Sequence, residues 1–579
     1  MQAQNKICQN CTKDFTIEPD DFGFYEKIKV PPPTFCPECR LQRRMTWRNE
    51  RILYRSNCNL CGKSTLTTFN PKYKIYCHSC WWSDKWDPKD YGRDYDFSKP
   101  FFEQYKNFLS QTPLCGLFNI NQINSEYCNY TYESKNCHLN FASDMNEDTG
   151  YLYHSIENRN SYDMLGSRKN ENCYELMDCE GCYGSNNLTF CDGCIDSKYC
   201  YDCNNCSNCL GCYGLRNAKY YIFNEKFTQE EYKEKINTLN LNTKSGSNLL
   251  KENFNQLIIK YPRKFITSKH ITDCTGDYLK NAQNCKICFD IEGPAKDLKY
   301  STYGVTKIEN IQDAYGFGVN VEDCYDVLGA GDNVQEIMFS CYTFSGSFDC
   351  SYSCFSNSSS KLFGCISVKN GKYMILNKQY TKEEYENLVP KIIKHMSDMP
   401  YIDEKGRIYK YGEFFPTELS PFCYNETIAE EYFPLTKDEA IKQGYKWKDK
   451  EDRNYNIDIY NKDIPDNIAD ITDDIINKVI ECAHKGECNQ QCTEAFKIIP
   501  EELQFYRRMN LPIPRLCPNC RHYERLSQRN PLKLWHRQCM CDKTTHNHEG
   551  KCPNEFETSY APERPEIVYC EKCYQQEVY

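Results

Sequence analysis

No run of about 18 apolar residues occurs anywhere in this chain, so the sequence holds no candidate membrane-spanning helix. Histidine is scarce, with ten in 579 residues. None of them forms a His-x-x-x-His pair, and the chain has neither a Gly-rich phosphate loop nor a Gly-x-Ser-x-Gly elbow. These absences remove the helix-borne zinc protease, the P-loop nucleotidase and the α/β-hydrolase from consideration. An excess of positive charge is missing as well: the net charge of -10 excludes a surface coated by nucleic acid and leaves room only for local contacts. Met1-Gln2-Ala3-Gln4-Asn5-Lys6 has no basic-then-apolar start of a secretion signal. The forty cysteines are therefore expected to be reduced and metal-bound in the cytoplasm, not paired in an extracellular disulfide scaffold.

What the chain does have is duplication. Cys8-x2-Cys11 and Cys36-Pro37-Glu38-Cys39 near the start return as Cys488, Cys492 and Cys517-Pro518-Asn519-Cys520, with 24 residues between the inner cysteines in both copies. Phe15, Ile17 and Phe24-Tyr25 recur as Phe496, Ile498 and Phe505-Tyr506. A second cluster follows each first one, Cys58, Cys61, Cys77 and Cys80 in one copy and Cys539, Cys541, Cys570 and Cys573 in the other. A Cys-x2-Cys turn brings two sulfurs to one ion, and two such turns complete a tetrahedron, so about four structural Zn2+ per chain are expected. The last set departs from the pattern. Its turn is one residue shorter, and the longer loop that follows carries His546, His548 and Cys552, which leaves ligand exchange or an additional ion open.

The pattern Cys-x2-Cys-x3-Phe-x-Ile, Phe-Tyr, then Cys-Pro-x-Cys-Arg resembles the probable zinc-ribbon family of small bacterial modules, over about 35 residues at each end. The chain as a whole is similar to a cysteine-rich zinc-binding family of bacterial type. The resemblance implies a treble-clef-like or ribbon fold around structural zinc, and no particular activity. Each Cys-Pro-x-Cys turn leads into a basic stretch. Arg40, Arg44, Arg48 and Arg51 on one side, and Arg521, Arg525 and Arg529 on the other, recur at helical spacing. They are candidates for contacts with phosphates or an acidic protein surface, set against a plainer reading in which they pair with this acidic chain's own carboxylates.

The middle is duplicated too. Gly211-Cys212-Tyr213 through Asn217-Ala218-Lys219-Tyr220 returns as Gly364-Cys365-Ile366 through Asn370-Gly371-Lys372-Tyr373, followed by Asn224 or Asn377 and a Thr-x-x-Glu box at Thr228 or Thr381. Pairs nine residues apart start every 21 to 24 residues, which predicts a β-solenoid with a period of 20 to 24. Cys200, Cys203, Cys206, Cys209 and Cys212 invite a thiolate cluster for metal storage. In the second copy, however, Cys194, Cys200, Cys203 and Cys206 become Ser347, Ser353, Ser356 and Ser359, which favours packing by small side chains.

The expected fold is mainly β with α: two parallel β-helix-like blocks flanked by duplicated treble-clef modules. The domains are a double zinc module over 1–100, a first block over 101–232 and a helical connector over 233–270 with a flexible Thr243-Lys244-Ser245-Gly246-Ser247. A second block over 271–390, a Tyr-rich connector over 391–480 with an amphipathic end, and a second double module over 481–579 complete the chain. The expected function is a non-catalytic zinc-stabilised binding or scaffold protein with a nucleic-acid or protein partner and no small-molecule cofactor. The alternative is a β-helix carbohydrate-active enzyme using clustered carboxylates such as Asp144, Asp148 and Asp163, with zinc in a structural role only.

Overall fold

A computed structural model of the chain describes residues 2–318, 325, 327–331, 341–344, 346–451 and 453–578. Parts of the expected second block, residues 319–324, 326, 332–340 and 345, lie outside the described residues, as do 1, 452 and 579. The chain is mainly β with some helix. A β-solenoid of about 19 turns forms its centre, and cysteine-rich modules flank it.

The first block is built from sides three residues long. One residue of each three points inward and is buried, as in Ser155, Asn158, Ser161, Met164, Ser167 and Asn170. One pairs with the neighbouring coil. The third turns the corner in the left-handed region, as at Asn160, Asp163, Gly166, Lys169 and Asn172. That conformation is cheap for Gly and tolerable for Asn and Asp, which explains why these residues punctuate the region. Corner backbone groups find partners in adjacent coils: the Asn172 N–H donates to the Arg159 carbonyl at 3.2 Å, and the Arg159 N–H donates to the Asn170 carbonyl at 2.9 Å. Four sides close one coil, so ladder partners are 12 residues apart: Tyr174 pairs with Asn186, and Asn186 with Lys198. The expected period of 20 to 24 is thus corrected to 12. The spacings of 9, 21 and 24 seen in the sequence are multiples of the three-residue side, so they report the inward phase and not the coil.

Polar residues inside the coils are satisfied by the same periodicity. The Ser155 N–H donates to Ser143 Oγ at 3.0 Å and the Ser167 N–H to Ser155 Oγ at 3.2 Å. The Asn158 N–H donates to Asn146 Oδ1 at 2.9 Å, and the Asn170 N–H to Asn158 Oδ1 at 3.1 Å. The second block uses coils of 12 to 13 residues, with Leu279 opposite Ile291 and Thr302 opposite Tyr315.

Each block ends in the same device. Asn224 Oδ1 accepts from the Tyr213 N–H and its Nδ2 donates to the Tyr213 carbonyl, both at 2.8 Å. Asn377 does the same for Ile366, at 2.9 and 2.8 Å. Each asparagine stands in the turn of a short antiparallel hairpin, and the helices Gln229–Thr238 and Lys382–Asp398 follow, whose caps Thr228 and Thr381 form complete boxes with Glu231 and Glu384.

The two blocks lie side by side with their axes running in opposite directions. Phe118 stacks on Phe355 with centroids 5.1 Å apart, His154 on Tyr303 at 3.8 Å, and Phe190 meets Tyr278 at 5.9 Å. Arg168 pairs with Glu292 at 2.8 Å, and Tyr213 stacks on Tyr261 at 4.7 Å. As numbers rise along the first block, their partners fall along the second.

One connector expectation changes, and the amphipathic end of the connector takes a definite form. Thr243 through Ser247 is not a flexible tether: Thr243 caps the helix Lys244–Ile258 by accepting from the Gly246 N–H. The stretch from Ile468 to Ile480 forms two short 3-10 turns, Ile468–Asp470 and Asp473–Ile475, whose isoleucines pack on the C-terminal module. Among the described residues no helix is long and apolar enough to cross a membrane.

Candidate metal centres and their docking interfaces

Among the described residues, groups of four cysteines close up in space at both ends of the chain, two in each end module. Cys8, Cys11, Cys36 and Cys39 form one and Cys58, Cys61, Cys77 and Cys80 the next, as their spacing predicts. Local sequence builds the second half of the first site. In Cys36-Pro37-Glu38-Cys39 the first cysteine is the N-cap of the helix Pro37–Met45, and Pro37 stands at its first position, where a missing N–H costs nothing. Cys517 and Pro518 repeat this at the helix Pro518–Leu526.

The C-terminal sets differ from expectation by one ligand each. The third group is Cys482, Cys492, Cys517 and Cys520, with Cys482 in place of Cys488. The reason is register: Glu481 pairs with Ala495 beside Cys482 as Ile7 pairs with Asp14 beside Cys8. Cys482 Sγ then accepts from the Cys517 N–H at 3.2 Å, as Cys8 Sγ accepts from the Cys36 N–H at 3.3 Å. An enlarged loop has opened the knuckle. Cys488 sits on it as a fifth thiol, 3.7 Å from Cys520 Sγ. The fourth group is Cys539, Cys552, Cys570 and Cys573, with Cys552 in place of Cys541. Cys539 Sγ accepts from the Cys570 N–H at 3.2 Å, matching Cys58 and the Cys77 N–H at 3.3 Å. Here too the knuckle has been split by an insertion. The strand residues leading into Cys482, which match those before Cys8 in position, are the sequence signal for this ligand.

The geometry suits a tetrahedral ion. Metal–sulfur bonds of about 2.3 Å set sulfur–sulfur edges of about 3.8 Å. Cys11–Cys36 is 3.8 Å, while Cys61–Cys77, Cys492–Cys517 and Cys552–Cys570 are each 3.9 Å. All four coordination positions of such an ion are filled by protein sulfur, leaving none for water or substrate.

The arginine stripes do not face solvent. Arg40, Arg44, Arg48, Arg521, Arg525 and Arg529 are buried. The docking is crossed. Arg40 and Arg44 of the N-terminal module grip Asp313 of the second solenoid block, at 2.8 and 3.3 Å. Arg521 and Arg525 of the C-terminal module grip Asp163 of the first block, at 3.3 and 2.9 Å. Both interfaces add a tyrosine under the guanidinium, Tyr300 5.3 Å from Arg40 and Tyr151 4.4 Å from Arg521. Tyr300 and Tyr151 in turn reach Asp21 and Glu502, at 3.4 and 2.8 Å. Arg529 bridges Asp178 and Asp290, one from each block. The partner-facing expectation for these arginines is therefore corrected: the chain's own carboxylates consume them.

Arg48 and Arg51 lie at the centre, where everything meets. Arg48 pairs with Glu50, and Arg51 with Glu431 at 3.5 Å. Burial pushes the Glu50 carboxyl up, but Arg48 and His154 outweigh it and hold it at about 2. Glu431 has no such surplus of positive charge, and burial pushes it up to about 7. The end modules touch directly here, through Arg51 to Asn519 at 3.1 Å and Lys533 to Glu38 at 3.7 Å.

The first-block cysteines line the solenoid interior. Most of the thiols reach the carbonyl nine residues on, as in Cys191 to Cys200 at 3.5 Å and Cys194 to Cys203 at 3.3 Å, whereas Cys179 and Cys212 reach the carbonyl two residues back. Burial raises the Cys173 thiol well above its ordinary range. Ser347, Ser353, Ser356 and Ser359 are equally buried in the second block, which fits a packing role for both. Between the two blocks lies a cleft of about 530 Å³ lined by both signs of charge, including Lys269, Lys280, Asp192 and Glu292, with Tyr201 among them.

Compared with known proteins, the chain matches no family model and no curated protein. The likeness to zinc-ribbon modules rests on the pattern of cysteines and flanking aromatic residues alone.

Proposed function

We propose that this chain is a non-catalytic, zinc-stabilised scaffold in which the end modules clasp two antiparallel solenoid blocks and a protein partner binds the cleft between them. The observation that carries this reading is the crossed docking of the arginine stripes: Asp313 and Asp163, each inside one block, are held by the module from the opposite end of the chain. Zinc is the ion because closed four-thiolate sets with these edges are its structural coordination. The partner contact moves from the stripes to the cleft, where Lys269 pairs with Asp192 at 2.9 Å and Lys280 with Glu292 at 3.8 Å in ion pairs that, unlike those of the arginines, remain partly open to solvent. Mixed charge suits a protein segment carrying both signs better than the uniformly negative phosphate backbone. Charge reversal at Lys269 and Lys280 should lower recovery of the protein that copurifies from native cells. Recovery unchanged by the reversal, or salt-sensitive binding of mixed-sequence RNA or DNA by the purified protein, would refute this assignment.

A second reading, a carbohydrate-active enzyme, has one observation in its favour. Burial pushes Asp178 up to about 6, and it lines the same cleft with Asp290. A carboxyl near neutrality beside a second one is what general acid catalysis of glycoside cleavage requires. Turnover of a polysaccharide panel, lost in Asp178→Asn without loss of fold, would establish it.

A further inference from the structure

The loop that splits the last knuckle carries its own ligand set. Cys541, His546 and His548 gather with Cys573, their ligand atoms all within 4.8 Å of one another, and Cys573 is also the fourth member of the Cys539, Cys552 and Cys570 group. The two imidazoles are both aimed at one sulfur. His546 Nδ1 lies 3.1 Å from Cys541 Sγ, and His548 Nε2 lies 3.4 Å from it.

Their outer nitrogens have other company. His548 Nδ1 is 2.9 Å from the Gly550 carbonyl oxygen, an acceptor only, so Nδ1 carries the proton and Nε2 presents a lone pair. His546 Nε2 lies 3.1 Å from the Glu577 carboxylate, an ion-pair contact whose negative charge favours the proton on that nitrogen and leaves Nδ1 to face the sulfur. Two lone pairs thus converge on a thiol that has at most one proton to offer. A cation among them resolves the conflict. An imidazole whose far nitrogen is held by a carboxylate or a backbone carbonyl is the usual arrangement of a metal-ligating histidine.

We propose that the C-terminal module holds two zinc ions bridged by the Cys573 thiolate, one in Cys539, Cys552, Cys570 and Cys573 and the other in Cys541, His546, His548 and Cys573. A thiolate sulfur keeps lone pairs after binding one ion and can serve a second. Charge favours the pair. A single zinc in four thiolates leaves a net charge of about -2, whereas five thiolates and two neutral imidazoles around two divalent ions leave about -1. The bridged centre rests on the reading of the four-thiolate groups as zinc sites, and the test separates the two.

Full-length protein saturated with Zn2+ and freed of excess should retain about five ions per chain, and the double variant His546→Ala with His548→Ala about four. Four in both proteins overturns the second ion; none in either overturns the four-thiolate reading instead. Glu577→Gln guards against a variant that simply misfolds. It should keep all the ions but release one about 10- to 100-fold more readily to a competing chelator, and an unmoved affinity overturns the assignment. Co2+ reads the bridge. A shared sulfur couples two cobalt ions magnetically, so removing one ion through the histidine variant should raise the paramagnetic resonance signal. A signal that falls in proportion to the lost ion shows independent sites and overturns the bridge.

Discussion

Single carboxylates carry much of the tertiary structure. Asp163 is fully buried between Arg521 and Arg525, and its removal would leave two guanidinium groups with one remaining carboxylate each, Glu502 and Glu175. Asp163→Asn should therefore destabilise the docked C-terminal module by about 3–5 kcal/mol, visible as a lower urea midpoint of module unfolding. Glu431 makes the opposite prediction. Its folded-state carboxyl is raised to about 7 from an ordinary 4.5 because burial penalises the charge. The fold favours its protonated form, so that contribution to stability is fully present below pH 4.5 and is lost as pH rises through 7. Between pH 5 and 8 the melting temperature of Glu431→Gln should fall less than that of the wild type. Equal slopes would place the titration elsewhere.

At the level of the element, the solenoid coil is a three-residue rule repeated. Its inward residue can be Cys, Ser, Asn, Leu or Met because the coil supplies the partners for polar atoms. Asn158 shows the requirement: its Oδ1 accepts from the Asn170 N–H and its Nδ2 donates to the Ser167 carbonyl at 3.0 Å. Asn158→Leu leaves buried backbone groups without partners and should cost about 1–3 kcal/mol, read as faster amide exchange at Asn170. Corners carry a separate constraint. Asn172 has φ near 53°, and a β-branched residue there, as in Asn172→Val, should cost about 1–2 kcal/mol in solenoid stability by thermal melting, more than Asn172→Gly does.

The whole molecule is a clasp. Each end of the chain crosses to the far block, and the two ends meet through Arg51, Asn519, Lys533 and Glu38. Deleting residues 2–82 should therefore loosen the second block, where Asp313 loses its arginines, and in the first block only the coils that touch the deleted segment, such as those of Asn129 and His154. Hydrogen exchange that rises mainly in residues 276–318 supports the crossing. A rise confined to residues 119–222 would contradict it. The same crossing explains why an acidic chain keeps so many arginines in its interior: they join elements far apart in sequence, and their fork geometry holds a carboxylate at two points.

The sequence by itself determined whatever is local or periodic. Cys-Pro-x-Cys turns and Thr-x-x-Glu caps were legible because their chemistry is completed within a few residues, whereas Asn224 and Asn377 showed only as a repeat, and their closing bonds to Tyr213 and Ile366 appear in the folded coil. The solenoid was legible as a class, but its coil length was not, since every inward spacing is a multiple of three and only the ladder register selects four sides per turn. Cys482 became a candidate ligand only in three dimensions, and the exchange of Cys541 for Cys552, left open by the sequence, was decided there too, because inserted loops separate residues that the knuckle brings back together. The fate of the arginine stripes was the most tertiary of all. A helix face shows its spacing in the sequence, but whether it meets solvent or a carboxylate more than a hundred residues away is decided by how the blocks pack, and here Asp163 and Asp313 decided it.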